Sequence, residues 1–220
     1  MTTKLNLEPY TMEEYTIDPE IFIENLCVIN SPFFGLTEFQ LWDAQKSILK
    51  QIEKNEHIVF EKLNLSGFTT LMCGYVLWYI FSHKEDTVYF VFDGTFTMNK
   101  TFELIKLMST NFKKDLRFGN LSVLHKGNNT LIKFVHKMPK VDGDLLIVDE
   151  ADNLNSSNDL ESAIRLFKKS IMYSNIFWDK EVNTVFRKIA KNARYGGVFK
   201  SGFITKEIEP EIVEDEDFIE

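Results

Sequence analysis

Residues 71–81, LMCGYVLWYIF, form an uncharged run of eleven, and that run limits what this chain can fold into. It is about half of the roughly 20 apolar residues that a bilayer-spanning helix needs. It therefore reads as a buried core helix over 69–82, apolar nearly all round. The segments around it alternate in type. HIVFEKL (57–63) is a buried strand ahead of it, and TVYFVFDG (87–94) is a second strand closed by Asp93-Gly94. TMNKTFELIKLMSTNF (97–112) has helical spacing, and LSVLHKGNNTLIKFVHK (121–137) reads as two strands joined by a Gly-Asn-Asn turn. DGDLLIVDEADNL (142–154) is a strand running into an acidic end. Helical stretches come next, near 158–173 and 179–194, ending at Gly196-Gly197, and VFKSGFITKEI (198–208) supplies a last strand. Strands alternating with helices give an α/β domain with a mostly parallel central sheet.

Ahead of this core, TEFQLWDAQKSILKQIEKN (37–55) places Phe39, Trp42, Ile48, Leu49 and Ile52 at helical spacing, with Thr37 as N-cap. Residues 1–35 form a leader containing one short helix opened by Asp18-Pro19. Its first residues contain no continuous apolar segment of the signal-peptide type. Hydrophobic residues make up 44% of the chain, with 20 Phe, which excludes disorder throughout. Cys27 and Cys73 cannot make a disulfide scaffold, and Cys73 lies inside the apolar run as a reduced core thiol. His57, His83, His125 and His136 are scattered without metal-ligand spacing. Ser156 and Ser157 have no histidine arrangement that would make either a nucleophile. The net charge of −8 is concentrated at one end. Residues 206–220 hold eight acids and one lysine, which leaves the first 205 residues at −1. The expected organisation is a leader (1–35), a domain (36–205) and an acidic tail (206–220).

Two short stretches carry the chemistry. In LLIVDEAD (145–152) four apolar residues deliver Asp149 and Glu150 to the carboxyl end of a strand, the edge where open α/β sheets bind ligands. Alone, the stretch reads equally well as a strand ending in a solvated acidic turn. In EKLNLSGFTT (61–70), Gly67, Thr69 and Thr70 fit the end of a phosphate loop, G-x-x-x-x-G-K-[ST], but Phe68 stands at the lysine position.

In order and content these parts resemble the ATPase domain of the tailed-phage terminase large subunit. FQLWDAQKSIL (39–49) is similar to that family's adenine-recognition segment, LNLSGFTT (63–70) to its phosphate loop, and GNNTLIKFVHKMPKVDGD (127–144) to its approach to the acidic motif. LLIVDEAD is similar to its Walker B strand, and the resemblance covers roughly residues 36 to 154. It implies a three-layer P-loop NTPase-like fold of the RecA/terminase kind, of the class with an additional strand. It also implies ATP and Mg²⁺ as ligands. Gln45 would read the base. Gly67, Thr69 and Thr70 would contact phosphates, Asp149 would approach Mg²⁺, and Glu150 would orient the attacking water. VFKSGFIT (198–205) would correspond to the coupling strand, with Thr205 at its end.

The sequence departs from the family's pattern where charge matters. Phe68 replaces the loop lysine, Asn64 the loop arginine, and Lys62 takes the spacing of the early glycine; Asp142-Gly143 stands in place of Arg-Gly. No nuclease domain is expected after the ATPase core. A lysine about 4 Å from a phosphate charge contributes roughly 4 kcal/mol at an effective dielectric of 20, on the order of a thousandfold in binding or turnover. The expectation is a catalytically impaired pseudo-ATPase serving DNA packaging or viral assembly, unless Lys62 reaches in as the missing cation. The alternatives are an active DNA-dependent ATPase, as a packaging motor or helicase domain, and an unrelated α/β interaction protein. The basic stretch 179–194, with Arg187, Lys188, Lys191 and Arg194, is a candidate DNA contact through phosphates, and otherwise an ordinary solvated face. A viral protein partner and self-association are the further expectations, in host cytoplasm or virion and away from membranes.

Overall fold

The structure is a computed structural model that describes residues 18–31, 34–62, 66–154, 157–175, 184–194 and 204–208, with the backbone alone at 157–159, 194 and 204–208. The chain starts with helix α1 (Pro19–Leu26), which Asp18 caps by accepting the Glu20 amide at 2.7 Å. The hairpin β1 (Val28–Ser31) and β2 (Gly35–Glu38) is next, then α2 (Asp43–Lys54) and β3 (His57–Lys62). After these come α3 (Phe68–Ser82), β4 (Thr87–Val91) and α4 (Thr95–Met108), then β5 (Leu116–Gly119), β6 (Ser122–His125) and β7 (Leu131–Val135). The chain continues through β8 (Gly143–Asp149), α5 (Ser157–Ile164), β9 (Phe167–Asn175), α6 (Val185–Arg194) and β10 (Ile204–Ile208).

Eight strands form one sheet in the order β10-β3-β9-β8-β4-β7-β6-β5. Strands β10 to β7 of that order run parallel, and β6 and β5 are antiparallel additions at one edge. One strand, β9, intervenes between β3, which leads into the glycine loop, and β8, which ends in the acidic pair.

Strand parity divides the interior into two layers, because alternate residues of a strand face opposite sides. Ile58 and Phe60 of β3, Leu145 and Ile147 of β8, and Ile171 and Tyr173 of β9 join the larger core cluster with α1 to α4. Their neighbours Val59, Leu146, Val148 and Met172 face the smaller cluster with α5 and α6. The result is helices on both faces of a mostly parallel sheet, the α/β arrangement that the alternation of elements predicts and the three-layer architecture that the resemblance implies. Helix α3 has eleven buried residues of fifteen, so it offers no polar face and lies in the centre of its layer.

Two local expectations need correction. Thr37 does not cap α2. It lies in β2 opposite Ile29, and α2 starts at Asp43, where the Gln45 side chain accepts the Trp42 amide at 3.1 Å. The helix expected over 158–173 ends at Ile164, and residues 167–175 are β9. There Ser170, Ile171, Met172, Tyr173 and Ser174 are buried between β3 and β8, and pairing on both sides overrides local helical spacing. The short helix expected after Asp18-Pro19 is α1, and its Phe22, Ile23 and Leu26, with Cys27, belong to the same cluster as α3. Residues 1–17, Gly196-Gly197 and 209–220 lie outside the described residues.

Gly143 starts β8 where a Cβ would collide with the Phe167 ring. Gly143→Ala is expected to destabilise the protein by about 1–3 kcal/mol through overpacking, read from the midpoint of urea unfolding.

Candidate functional site

The same parity assigns the polar residues at the carboxyl edge of the sheet. Continuing the inward series of β3, β8 and β9 by two residues each gives Lys62, Asp149 and Asn175, all on the α3 side. Glu61 has the opposite parity and faces α6. The edge thus collects charge at the strand ends, beside the start of α3.

Gly67 precedes α3 with φ +65, a left-handed conformation that favours glycine. A Cβ there would also stand 3.1 Å from Gln45 Nε2. Gln45 is buried, so its amide lies directly against the loop glycine. Thr69, in the first turn of α3, donates from Oγ1 to Asp149 Oδ2 at 3.3 Å. A helix start with free N–H groups behind a glycine turn is suited to anions.

Phe68 does not stand among these polar groups. Its ring is 2% exposed and packs on Phe60 (centroids 5.1 Å apart) and Tyr173 (4.4 Å) in the large core. Positions 68, 71, 72 and 75 share the inward stripe of α3, so a side chain at 68 points to the sheet. The ring at the lysine position of the motif therefore fills the core and not the space in front of the helix start.

The cation at the edge is Lys62, the last residue of β3 and only 6% exposed. Its Nζ donates to Glu150 Oε1 at 2.7 Å and to Asn175 Oδ1 at 2.9 Å. Glu150 comes directly after β8 with left-handed backbone (φ 49, ψ 50), uncommon for a residue with a Cβ. Its carboxylate accepts from Asn175 Nδ2 at 2.9 Å on both oxygens, from the Asn175 amide at 3.3 Å and from Ser174 Oγ at 3.2 Å.

Asp149 is held differently. Burial, and secondly the Glu150 charge, push its carboxyl up to about 7 against the opposing pull of Lys62 and of the nearby Thr69 and Tyr173 hydroxyls. Its Oδ1 is buried without a hydrogen-bond partner, as are Ser66 Oγ in the loop and Tyr173 Oη. Tyr173 is the register partner of Asp149, and Ser66 immediately precedes Gly67. Among the described residues these three are the buried side-chain polar atoms without partners, and all lie at this edge. Such atoms cost about 1–3 kcal/mol each unless something binds them. No group of three His, Cys, Asp or Glu among the described residues could hold a metal alone. A cation here would take Thr69 and Asp149 with oxygens supplied by its own ligand.

Of the sequence candidates, Gln45, Lys62, Gly67, Thr69, Asp149 and Glu150 converge, and Thr70 is next in the same first turn of α3. Thr205 does not converge: it is second in β10, paired with Val59, upstream of the carboxyl edge. Arg187 is not a free surface cation either. It is paired with Glu61 (2.8 Å) and Asp152 (2.8 Å). Lys188 and Lys191 are exposed on α6, and the Arg194 side chain lies outside the described residues. The residues that sequence reading missed are Tyr173, Ser174 and Asn175. SIMYSN, a short apolar run with a polar end, repeats the form of LLIVDE, and that was the available signal.

No family model and no curated protein sequence matches the chain. Solved structures do. The HK97 bacteriophage large terminase superposes with TM-score 0.72 at 12% identity, over 91% of this chain and 45% of that one. The large terminase of a thermophilic bacteriophage, in complex with ATP-gamma-S, gives 0.54 at 11% identity, over 77% and 45%. The Thermus phage P74-26 large terminase ATPase domain gives 0.57 at 12%, over 77% and 81%. The chain thus has the fold of a phage terminase ATPase domain and spans less than half the length of the first two proteins. No helix among the described residues is long and apolar enough to cross a membrane.

A pH dependence arises from Asp149. Its carboxyl is raised in the folded protein, so its contribution to stability is full below about pH 4 and is lost as pH rises through about 7. Asp149→Asn, in buffer without divalent cations, should be more stable than the parent at pH 8, by at most about 4 kcal/mol, with the gain fading towards pH 4. Thermal unfolding at pH 4, 6 and 8 measures it.

Proposed function

We propose that this chain is a nucleotide-binding ATPase domain of terminase type in which Lys62 serves as the phosphate-loop cation. The observation that carries the reading is the position of Lys62 Nζ, buried at the carboxyl edge 2.7 Å from Glu150. That buried ammonium, held beside the acidic pair, would do the electrostatic work that position 68 cannot do from the core. At 4 Å and an effective dielectric of 20 that charge is worth roughly 4 kcal/mol towards a phosphate, enough to hold it.

The remaining roles come from placement. The amides at the start of α3, with Ser66 Oγ, would donate to phosphate oxygens, and Gln45, which lies against Gly67, would read the base. Thr69 and Asp149 would hold Mg²⁺, which supplies charge neutralisation between phosphates and protein when bound. Glu150, fixed by Asn175, would orient water. The fold supports a place in DNA packaging, where exposed Lys188 and Lys191 on α6 would contact DNA phosphates and other viral proteins would complete the assembly.

One observation favours a second reading, the impaired ATPase. Lys62 already spends its charge on Glu150 and Asn175, and a lysine that stayed there would leave phosphates without a counter-ion.

Titration calorimetry with Mg–ATP, paired with a phosphate-release assay, separates the two. The parent should bind and turn over. Lys62→Ala should weaken binding on the order of a hundred- to a thousandfold. Glu150→Gln should keep binding and lower turnover at least a hundredfold. Phe68→Lys should restore nothing and should unfold more readily, because it puts a charge in the core. Binding without turnover in the parent, or activity gained by Phe68→Lys, would support the impaired reading.

A further inference from the structure

Arg187 of α6 makes three contacts at the carboxyl edge, each to a different strand end. Nε donates to Asp152 Oδ2 at 2.8 Å in the turn after β8, Nη1 to Glu61 Oε1 at 2.8 Å near the end of β3, and Nη2 to the Asn175 carbonyl at 2.5 Å at the end of β9. We propose that Arg187 is a positioning residue for Glu150, acting through Asn175, within the nucleotide site proposed above, on which this inference rests.

The geometry runs in one connected series. Arg187 fixes the Asn175 backbone, the Asn175 side-chain nitrogen donates to the Glu150 carboxylate in contact with both oxygens, and its own oxygen takes Lys62. Glu150 occupies left-handed backbone, so the direction of its carboxylate depends on the groups that grip it. The planar guanidinium meets three acceptors at fixed angles, and an ammonium in its place cannot. Asp152 also accepts the Thr184 hydroxyl, which in turn accepts the Arg187 amide at 3.2 Å. The first turn of α6 is thereby fastened to the turn that comes after Glu150. Displacement of α6, whose outer face carries Lys188 and Lys191, would reach Glu150 through two side chains. Sequence alone makes Arg187 a candidate DNA contact or part of a solvated face; its bonds point to this inner role instead.

The test uses the full chain with Arg187→Gln, Arg187→Lys, Asn175→Ala and the double variant Arg187→Gln/Asn175→Ala. Mg–ATP affinity, turnover and nucleotide-free hydrogen exchange are read together. Arg187→Gln should lower kcat about tenfold or more with Kd for Mg–ATP within about threefold, and the double variant should be no slower than Asn175→Ala. Exchange in 150–153 and 173–175 should rise about tenfold while β4 stays unchanged. If Arg187→Gln fails to fold, Arg187→Lys takes its place with the same split and a smaller loss. The proposal is overturned by turnover within about twofold of the parent, by equal loss of affinity and turnover, or by losses that multiply in the double variant. A parent that binds no Mg–ATP overturns the functional reading instead. Exchange alone then decides the role of Arg187, and unchanged exchange at 150–153 rejects it.

Discussion

Among the described residues, Lys62 and Arg187 supply the positive charge at an edge that also carries Glu61, Asp149, Glu150 and Asp152, and the organisation of the site arises from that imbalance. Buried carboxylates are tolerated only when paired or protonated. Arg187 accounts for Glu61 and Asp152 on one side of the sheet, and Lys62 for Glu150 on the other. Asp149 has a hydroxyl donor from Thr69 and shares Lys62 only at a distance, and its carboxyl responds by holding its proton to about 7. An edge short of positive charge, with three buried polar atoms left without partners, is suited to something cationic together with an oxygen-rich ligand. The same charges give Lys62 two competing partners: without ligand it steadies Glu150, and a phosphate would draw it away.

The sheet makes this arrangement rigid. Inserting β9 between β3 and β8 puts the end of each strand next to that of its neighbour, so Lys62 pairs in register with Asn175 and Asp149 with Tyr173. Below the polar rim, Phe60, Phe68 and Tyr173 close the site with tilted, contacting aromatic rings. The phenylalanine at the loop-lysine position is thus a structural member of the floor. Its aromatic contacts, of the kind that contribute about 0.5–1.5 kcal/mol beyond area burial, would be lost with any polar replacement.

Much of this is legible in the sequence. LLIVDEAD, GFTT and Asp18-Pro19 carry their structures in short patterns of apolar run, turn residue and cap, and each appears where local chemistry puts it. The parts that escape depend on neighbours distant in sequence. FKKSIMYSN has helical as well as extended spacing, and only pairing between β3 and β8 decides for a strand. Asn175 and Ser174 escape with it. Lys62 lies five residues before the loop glycine, a spacing that says nothing about reach; strand parity turns it to the acidic pair. Arg187 looks like one of several basic residues on a helix, and its partners come from three separate strand ends.

If this edge binds a nucleotide as proposed, the cation that meets the phosphates decides its chemistry, and a crystal structure of the full chain with Mg²⁺ and a slowly hydrolysed ATP analogue tests that directly. The expected result is Lys62 Nζ withdrawn from Glu150 and within hydrogen-bonding distance of the terminal phosphate oxygens, with the Phe68 ring still seated between Phe60 and Tyr173. A bound nucleotide with Lys62 unmoved on Glu150, or a loop rearranged so that Phe68 leaves the core, would contradict it.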